Sequence, residues 1–120
     1  MKYTDIQRLQ KVISIIEQLN VYLEENQITE ELIESSYSVQ WTVTTPLYNI
    51  GEHVYNISAE YKKDHPDIPW SRISGLRHRL VHDYEGTNWE IICQVLFQEL
   101  PVFLGEIKTM MTTDDYSDNK

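Results

Sequence analysis

The sequence predicts an all-α protein, an antiparallel bundle of four helices. Three observations carry this reading. Apolar residues recur at intervals of three and four along nearly the whole chain. No stretch alternates apolar with polar residues as a half-buried strand would. The breaks between periodic segments are short, as antiparallel neighbours require. The 120 residues suit one domain, and an apolar content of 41% can fill its core.

The first helix is expected over 4–25, where Ile6, Leu9, Ile13, Ile16 and Leu23 make one apolar stripe. Asn26 to Thr29 separates it from a long second helix over 30–63. Thr29 suits the N-cap, and Glu30 and Glu31 behind it favour the positive end of the helix dipole. Val43, Leu47, Ile50, Val54, Ile57 and Tyr61 give this helix its buried face, and Pro46 should kink or split it. His65-Pro66-Asp67-Ile68-Pro69 is a clear break, with Pro69 suited to the first turn of a third helix over 70–84. Ile73, Leu76 and Leu80 anchor that helix, and Gly86 can end it. Thr87-Asn88-Trp89-Glu90 has the spacing of a capping box and starts the fourth helix, 88–110, which Pro101 should kink or split. The domain is thus residues 1–111. Residues 112–120 lack apolar periodicity and read as a disordered acidic tail. Eight tyrosines and three tryptophans leave open how much aromatic surface is core and how much is interface.

Composition excludes several functions. Apolar runs are too short to span a membrane. The N-terminal residues lack the charged-then-apolar build of a signal peptide. Cys93 is the single cysteine, so neither an internal disulfide nor a thiolate zinc site can form. Set among Ile91, Ile92, Val95 and Leu96, it reads as a small core residue. A cytoplasmic setting is expected. The net charge of −9 argues against a surface that coats nucleic acid broadly. That charge is uneven, however. Residues 65–82 hold three arginines against one aspartate and three of the four histidines, while every other segment is acidic. An anionic ligand belongs there.

Within 70–84, the face opposite Ile73, Leu76 and Leu80 carries Arg72, Arg77, Arg79, His78 and His82. Arginine can fork onto two phosphate oxygens, and histidine moves protons near neutral pH. His78 and His82 have a helical metal-pair spacing, but no third ligand is placed by the sequence, so no metal or other cofactor is expected.

Arg77-x4-His82-x-Tyr84 resembles the Arg-x4-His-x-Tyr motif of HEPN-domain proteins, specifically the HepT-like ribonuclease toxins. Ile50-Gly51-Glu52 resembles that family's Gly-Glu. Pro69-Trp70-x-x-Ile73-x-Gly75-x-Arg77 resembles its lead-in, and Leu100-Pro101 its Leu-Pro in the last helix. The likeness covers roughly residues 4–110. His78 departs from the asparagine often found after the motif arginine, and Glu85-Gly86-Thr87-Asn88 departs from the commonest wording of the following loop.

The resemblance implies a HEPN-like bundle that forms a homodimer, with two motifs facing one cleft. It implies a metal-independent endoribonuclease in which the ribose 2'-hydroxyl is the nucleophile, leaving a 2',3'-cyclic phosphate. Arg77 would hold the scissile phosphate and His82 would carry the proton. His78, Arg79, Arg72 and Glu52 would support the site or bind RNA, transfer RNA among the candidates. Glu52 is expected to form a salt bridge that orients a motif arginine, the other reading being a structural partner with no contact there. The resemblance further implies a type VII-like toxin–antitoxin pair, in which a nucleotidyltransferase antitoxin silences the toxin by adding AMP to Tyr84. A spacing of five sets Arg77 and His82 about 140° apart on an ideal helix, so they share a site only across a cleft or a loosened turn. The alternatives are a non-catalytic HEPN module that binds a nucleotide or docks a nucleotidyltransferase, and a plain structural bundle.

Overall fold

A computed structural model describes residues 3–81 and 86–118. Among them all regular structure is helical. The elements are α1 (Asp5–Glu25), α2 (Glu30–Ser35), α3 (Tyr37–Tyr55), α4 (Ala59–Asp64), α5 (Trp70–Val81), α6 (Trp89–Gln94) and α7 (Leu100–Asp118), with a π-helical turn, Val95–Glu99, joining the last two. The four long segments, α1, α3, α5 and the continuous α6–α7, make an elongated bundle of 50 × 29 × 28 Å. α3 is its centre, packed against α5 on one side and α1 on the other, and α7 closes against α1.

The caps explain the boundaries. Thr4 and Gln7 form a reciprocal capping box at the start of α1, with bonds of 3.1 and 2.9 Å. The Thr29 hydroxyl accepts from Leu32 N, as the sequence indicates. The expected helix over 30–63 is in fact three, α2, α3 and α4. The chain leaves the helical path at Ser36, which caps α3, and again after Asn56, where Ser58 caps α4. The side-chain amide of buried Gln40 donates to the carbonyls of Ile33 and Glu34 at 2.7 and 3.3 Å. It thereby satisfies carbonyls that the end of α2 would otherwise leave open.

Pro46 does not end α3, which runs through it. Pro101 likewise lies inside continuous helix, but the π turn comes just before it. A widened turn relieves the clash that a proline ring makes with the carbonyl four residues back, here that of Phe97. The last helix begins at Trp89 with Asn88 as its cap, accepting from Ile91 N at 3.2 Å, one residue later than the Thr87 capping box proposes. α7 runs on through the segment read as an acidic tail, to Asp118.

Leu9, Val12, Ile16, Leu19 and Leu23 of α1 are buried against Val43, Leu47, Ile50 and Val54 of α3, Ile73 and Leu76 of α5, and Phe103 and Ile107 of α7. Asp5 ties two distant turns together: its carboxylate accepts from Ser58 N at 2.9 Å and from the Ser58 hydroxyl at 2.7 Å. The aromatic residues divide between core and surface. Trp70 is buried, edge-on to Tyr61 and Phe103, and its indole N–H donates to the His65 carbonyl at 2.9 Å. Tyr37, Trp41 and Tyr55 of α3 are exposed, the first two stacked on each other.

Cys93 is buried, and its thiol faces the Glu30 carbonyl at 3.9 Å. Burial first, then the Glu30 and Glu34 carboxylates, push the thiol up to about 11. A thiol held so far from ionisation is a poor nucleophile. A thiol reagent at pH 8 should therefore label Cys93 only after denaturation, and labelling of the native protein at the denatured rate would contradict this packing.

Candidate active site

The site starts from a glycine. Where α3 crosses α5, a Cβ on Gly51 would sit 2.7 Å from the backbone nitrogen of Arg77 and 3.1 Å from Leu76 Cβ. The two helices can approach this closely only because residue 51 has no side chain. Gly51 is buried within α3, between Ile50 and Glu52. A glycine in a helix interior costs about 1 kcal/mol against alanine, so one flanked by good helix formers is itself a signal of close approach.

The crossing sets Glu52 beside Arg77. Arg77 Nε donates to Glu52 Oε2 at 2.6 Å, and both side chains are about one-third exposed. The pair is therefore half-buried at the rim of the crossing. Arg77 also lies over the ring of Tyr55, one turn on from Glu52, with its guanidinium carbon 4.2 Å from the ring centroid. Asn56 donates to the other Glu52 oxygen at 3.2 Å. The hydrogen bond from Arg77 holds the Glu52 carboxyl below its usual range, against the opposing effect of burial. The reciprocal bond raises Arg77 further above its already high value, so the guanidinium is always charged. Its hydrogen bond to Glu52 runs through Nε, and a guanidinium carries further donors on its two terminal nitrogens, the geometry that can fork onto an anion.

The remaining residues singled out from the sequence fall in different places. His78 and Arg79 are exposed on α5 next to Arg77. Arg72 is turned elsewhere: Nε donates to Glu99 Oε1 and a terminal nitrogen to Glu99 Oε2 at 2.9 Å, a two-pronged pair with the π turn. His82 and Tyr84 lie outside the described residues. The structure thus joins Arg77 with Glu52 and does not join Arg72 to them.

Two features escaped the sequence reading. Tyr55 has no signal in its own segment, since only the fold brings it under Arg77. Arg8, Lys11 and His53 are the second. Arg8 reaches His53 Nδ1 at 3.3 Å, and Arg8 and Lys11 both lie over the Tyr3 ring, at 5.6 and 4.8 Å from its centroid.

A family model described as Ribonuclease HepT-like matches residues 5–110. The chain belongs to the HepT-like family. That match covers Gly51, Glu52 and Arg77, the residues that build the crossing, along with His82 and Tyr84. Among curated relatives of the HepT-like chain is a protein of Caldanaerobacter subterraneus named as a candidate RNase. It is 36% identical over 62 residues, covering 52% of this chain and 55% of that one. A candidate RNase of Methanocaldococcus jannaschii is 30% identical over 86 residues, covering 72% and 71%. A protein of Thermococcus cleftensis named probable ribonuclease HepT is 30% identical over 71 residues, covering 59% and 64%. The matches thus span from about half to about seven-tenths of these relatives' lengths. No solved structure gives a significant match. Among the described residues, no helix is long and apolar enough to cross a membrane.

Gly51→Ala tests the crossing. Overpacking against a fixed backbone nitrogen costs about 1–3 kcal/mol, and the gain in helix propensity returns about 1 kcal/mol. Net destabilisation is expected, read as a lower denaturation midpoint, and an unchanged or raised midpoint would show that α3 and α5 are not held this closely. Glu52→Gln tests the pair. Because the folded carboxyl is depressed, its contribution to stability is complete above the ordinary carboxylate range and is lost as pH falls through the lowered value. The stability difference between parent and variant should therefore be full at pH 7 and shrink in acid below about pH 4. A difference that does not change with pH would remove the ion pair from the account.

Proposed function

We propose that this HepT-like chain is a metal-independent endoribonuclease, the toxin of a type VII-like toxin–antitoxin pair. The observation that carries the reading is Arg77, a permanently charged guanidinium oriented by Glu52 and Tyr55 at the rim of the α3–α5 crossing, in a chain of the HepT-like family. The names of the relatives support the same class of activity.

In the proposed reaction Arg77 binds the scissile phosphate and stabilises the charge that builds on its oxygens. His82 takes the proton from the ribose 2'-hydroxyl. The 2'-oxygen then bonds to phosphorus, and the bond from phosphorus to the 5'-oxygen breaks. The departing oxygen receives a proton, from His82 after it has been protonated or from His78, and the products are a 2',3'-cyclic phosphate and a 5'-hydroxyl. Water is not consumed in this step, and the nucleophile comes from the substrate. Arg79, exposed on α5, would hold a neighbouring stretch of RNA. Arg72 is a weaker candidate for RNA contact because Glu99 occupies it in the free chain.

The active form in this reading is a homodimer with both motifs on one cleft. The exposed Tyr37, Trp41 and Tyr55 along α3 offer an aromatic face for a second copy. The silencing step places AMP on the Tyr84 hydroxyl, transferred by a nucleotidyltransferase antitoxin. The added phosphate would oppose RNA at Arg77.

The test is cleavage of several RNA classes in excess chelator by protein whose intact mass shows no added AMP. Parent protein should leave cyclic-phosphate ends. His82→Ala should lower the rate on the order of 10²–10⁴-fold, and Arg77→Ala should do so while remaining folded. Unmodified parent that cleaves none of these RNAs would move the reading to a non-catalytic binding module. Parental rates in His82→Ala would remove His82 as the proton carrier.

A further inference from the structure

We propose that Arg8 and Lys11 of α1, arranged around Tyr3 and His53, form a second phosphate-binding subsite that holds the RNA backbone away from the scissile phosphate at Arg77. The inference rests on the ribonuclease reading for the identity of the ligand. The subsite itself rests on a separate part of the molecule.

The first argument is the company these cations keep. On a chain of net charge −9, cations are expected to pair with carboxylates. Among the described residues, no carboxylate lies within ion-pair distance of Arg8 or Lys11. The acids on or facing this part of α1 are committed elsewhere. Asp5 accepts twice from Ser58, Glu17 pairs with Lys108 at 2.8 Å, and Glu52 pairs with Arg77. The two cations are instead gathered over one aromatic ring. Glu52, whose carboxyl Arg8 also helps hold down, is the acid nearest in effect and is itself bonded to Arg77. Like charges drawn together with no carboxylate in ion-pair distance among the described residues lower the cost of bringing an anion to them.

The second argument is His53. Arg8 can only donate, so Nδ1 of His53 accepts and the ring is neutral with its proton on Nε2. Burial, then Arg8 and Lys11, hold the imidazole below its usual range, and Glu52 only partly opposes them. The ring therefore adds a hydrogen-bond donor and no third charge. A hollow lined by Tyr3, Gln7, Gln10, Lys11 and Ser14 continues the surface along α1, with amide and hydroxyl groups able to bond sugar or base edges.

The third argument is placement. Glu52 and His53 are consecutive on α3. Glu52 reaches Arg77 of α5, and His53 reaches Arg8 of α1. The two cationic groups therefore flank one stretch of α3. A single strand crossing that stretch meets Arg77 with one phosphate and Arg8 with Lys11 at another.

The experiment measures binding of a 2'-O-methylated RNA oligonucleotide, which keeps every phosphate and cannot supply the nucleophile, as a function of salt. Arg8→Ala with Lys11→Ala should weaken binding about tenfold and reduce the slope of log affinity against log salt by about 1.4, two contacts at about 0.7 each for a single strand. Lys63→Ala, which removes one exposed cation on α4, should change neither. On cleavable RNA the double variant should raise KM with kcat nearly retained, because it removes binding common to ground and transition states. An unchanged slope, or an equal loss in Lys63→Ala, overturns the subsite. Cleavage by the parent with an unaffected double variant would sink the subsite and leave the ribonuclease standing. Slope-dependent binding through Arg8 and Lys11 without any cleavage would keep the subsite and sink the ribonuclease.

Discussion

The contact between the backbone of Arg77 and the bare Cα of Gly51 sets the rest of the molecule. It fixes how close α5 lies to α3, and from that distance the neighbouring residues acquire their partners. Glu52 meets the Arg77 guanidinium, and Tyr55, one turn on, receives its face. Ile50 and Leu76 are driven fully inside on the same crossing. An arginine side chain has many rotamers and loses them reluctantly. Here one carboxylate and one aromatic ring restrict it while about a third of it stays exposed, which is the compromise the proposed phosphate contact would need.

The helical periods were legible because each buried stripe is set by local spacing. Leu9, Ile16 and Leu23 of α1, and Val43, Leu47, Ile50 and Val54 of α3, fall where a period near 3.6 puts them. The long-range partners are legible in a different way. Glu52 and Arg77 are 25 residues apart and no periodicity joins them; pairing with a motif arginine is one of two roles open to Glu52 in the sequence, and the structure selects it, whereas Tyr55 beneath the same guanidinium has no signal at all. The breaks misled for a different reason. Pro46 is a conspicuous breaker inside α3, yet the helix survives it, while the real breaks at Ser36 and after Asn56 depend on hydroxyl caps and on the Gln40 amide. Serine is common enough within helices that its capping role is invisible until the backbone turns. The resemblance of the motif to HepT-like toxins supplied the family, and the family model agrees over residues 5–110. A motif carries no geometry, and so it groups Arg72 with Arg77 although the Arg72 side chain is turned to Glu99.

Electrostatics divides the surface unequally. The chain is strongly acidic, but several of its carboxylates are assigned to particular tasks: Glu52 orients an arginine, Asp5 holds a turn, and Glu99 and Glu17 take up cations on other faces. Positive charge is therefore confined by pairing to a few places. An acidic protein arranged in this way repels a polyanion generally and admits it locally, which favours a defined binding path over indiscriminate coating.

The two bonds between Asp5 and Ser58 also bear on the order in which the protein is made. Both residues, with nearly all of α1 and α3 between them, precede the first residue of α5. As the chain emerges, these two helices can pair and lock their ends while Arg77 is still enclosed by the ribosome. Glu52 then waits as an unpaired acid, on a scaffold already shaped to receive its arginine. The last helices to emerge complete both the core and the charge that the proposed chemistry requires, so a truncated chain would carry the frame without the working group.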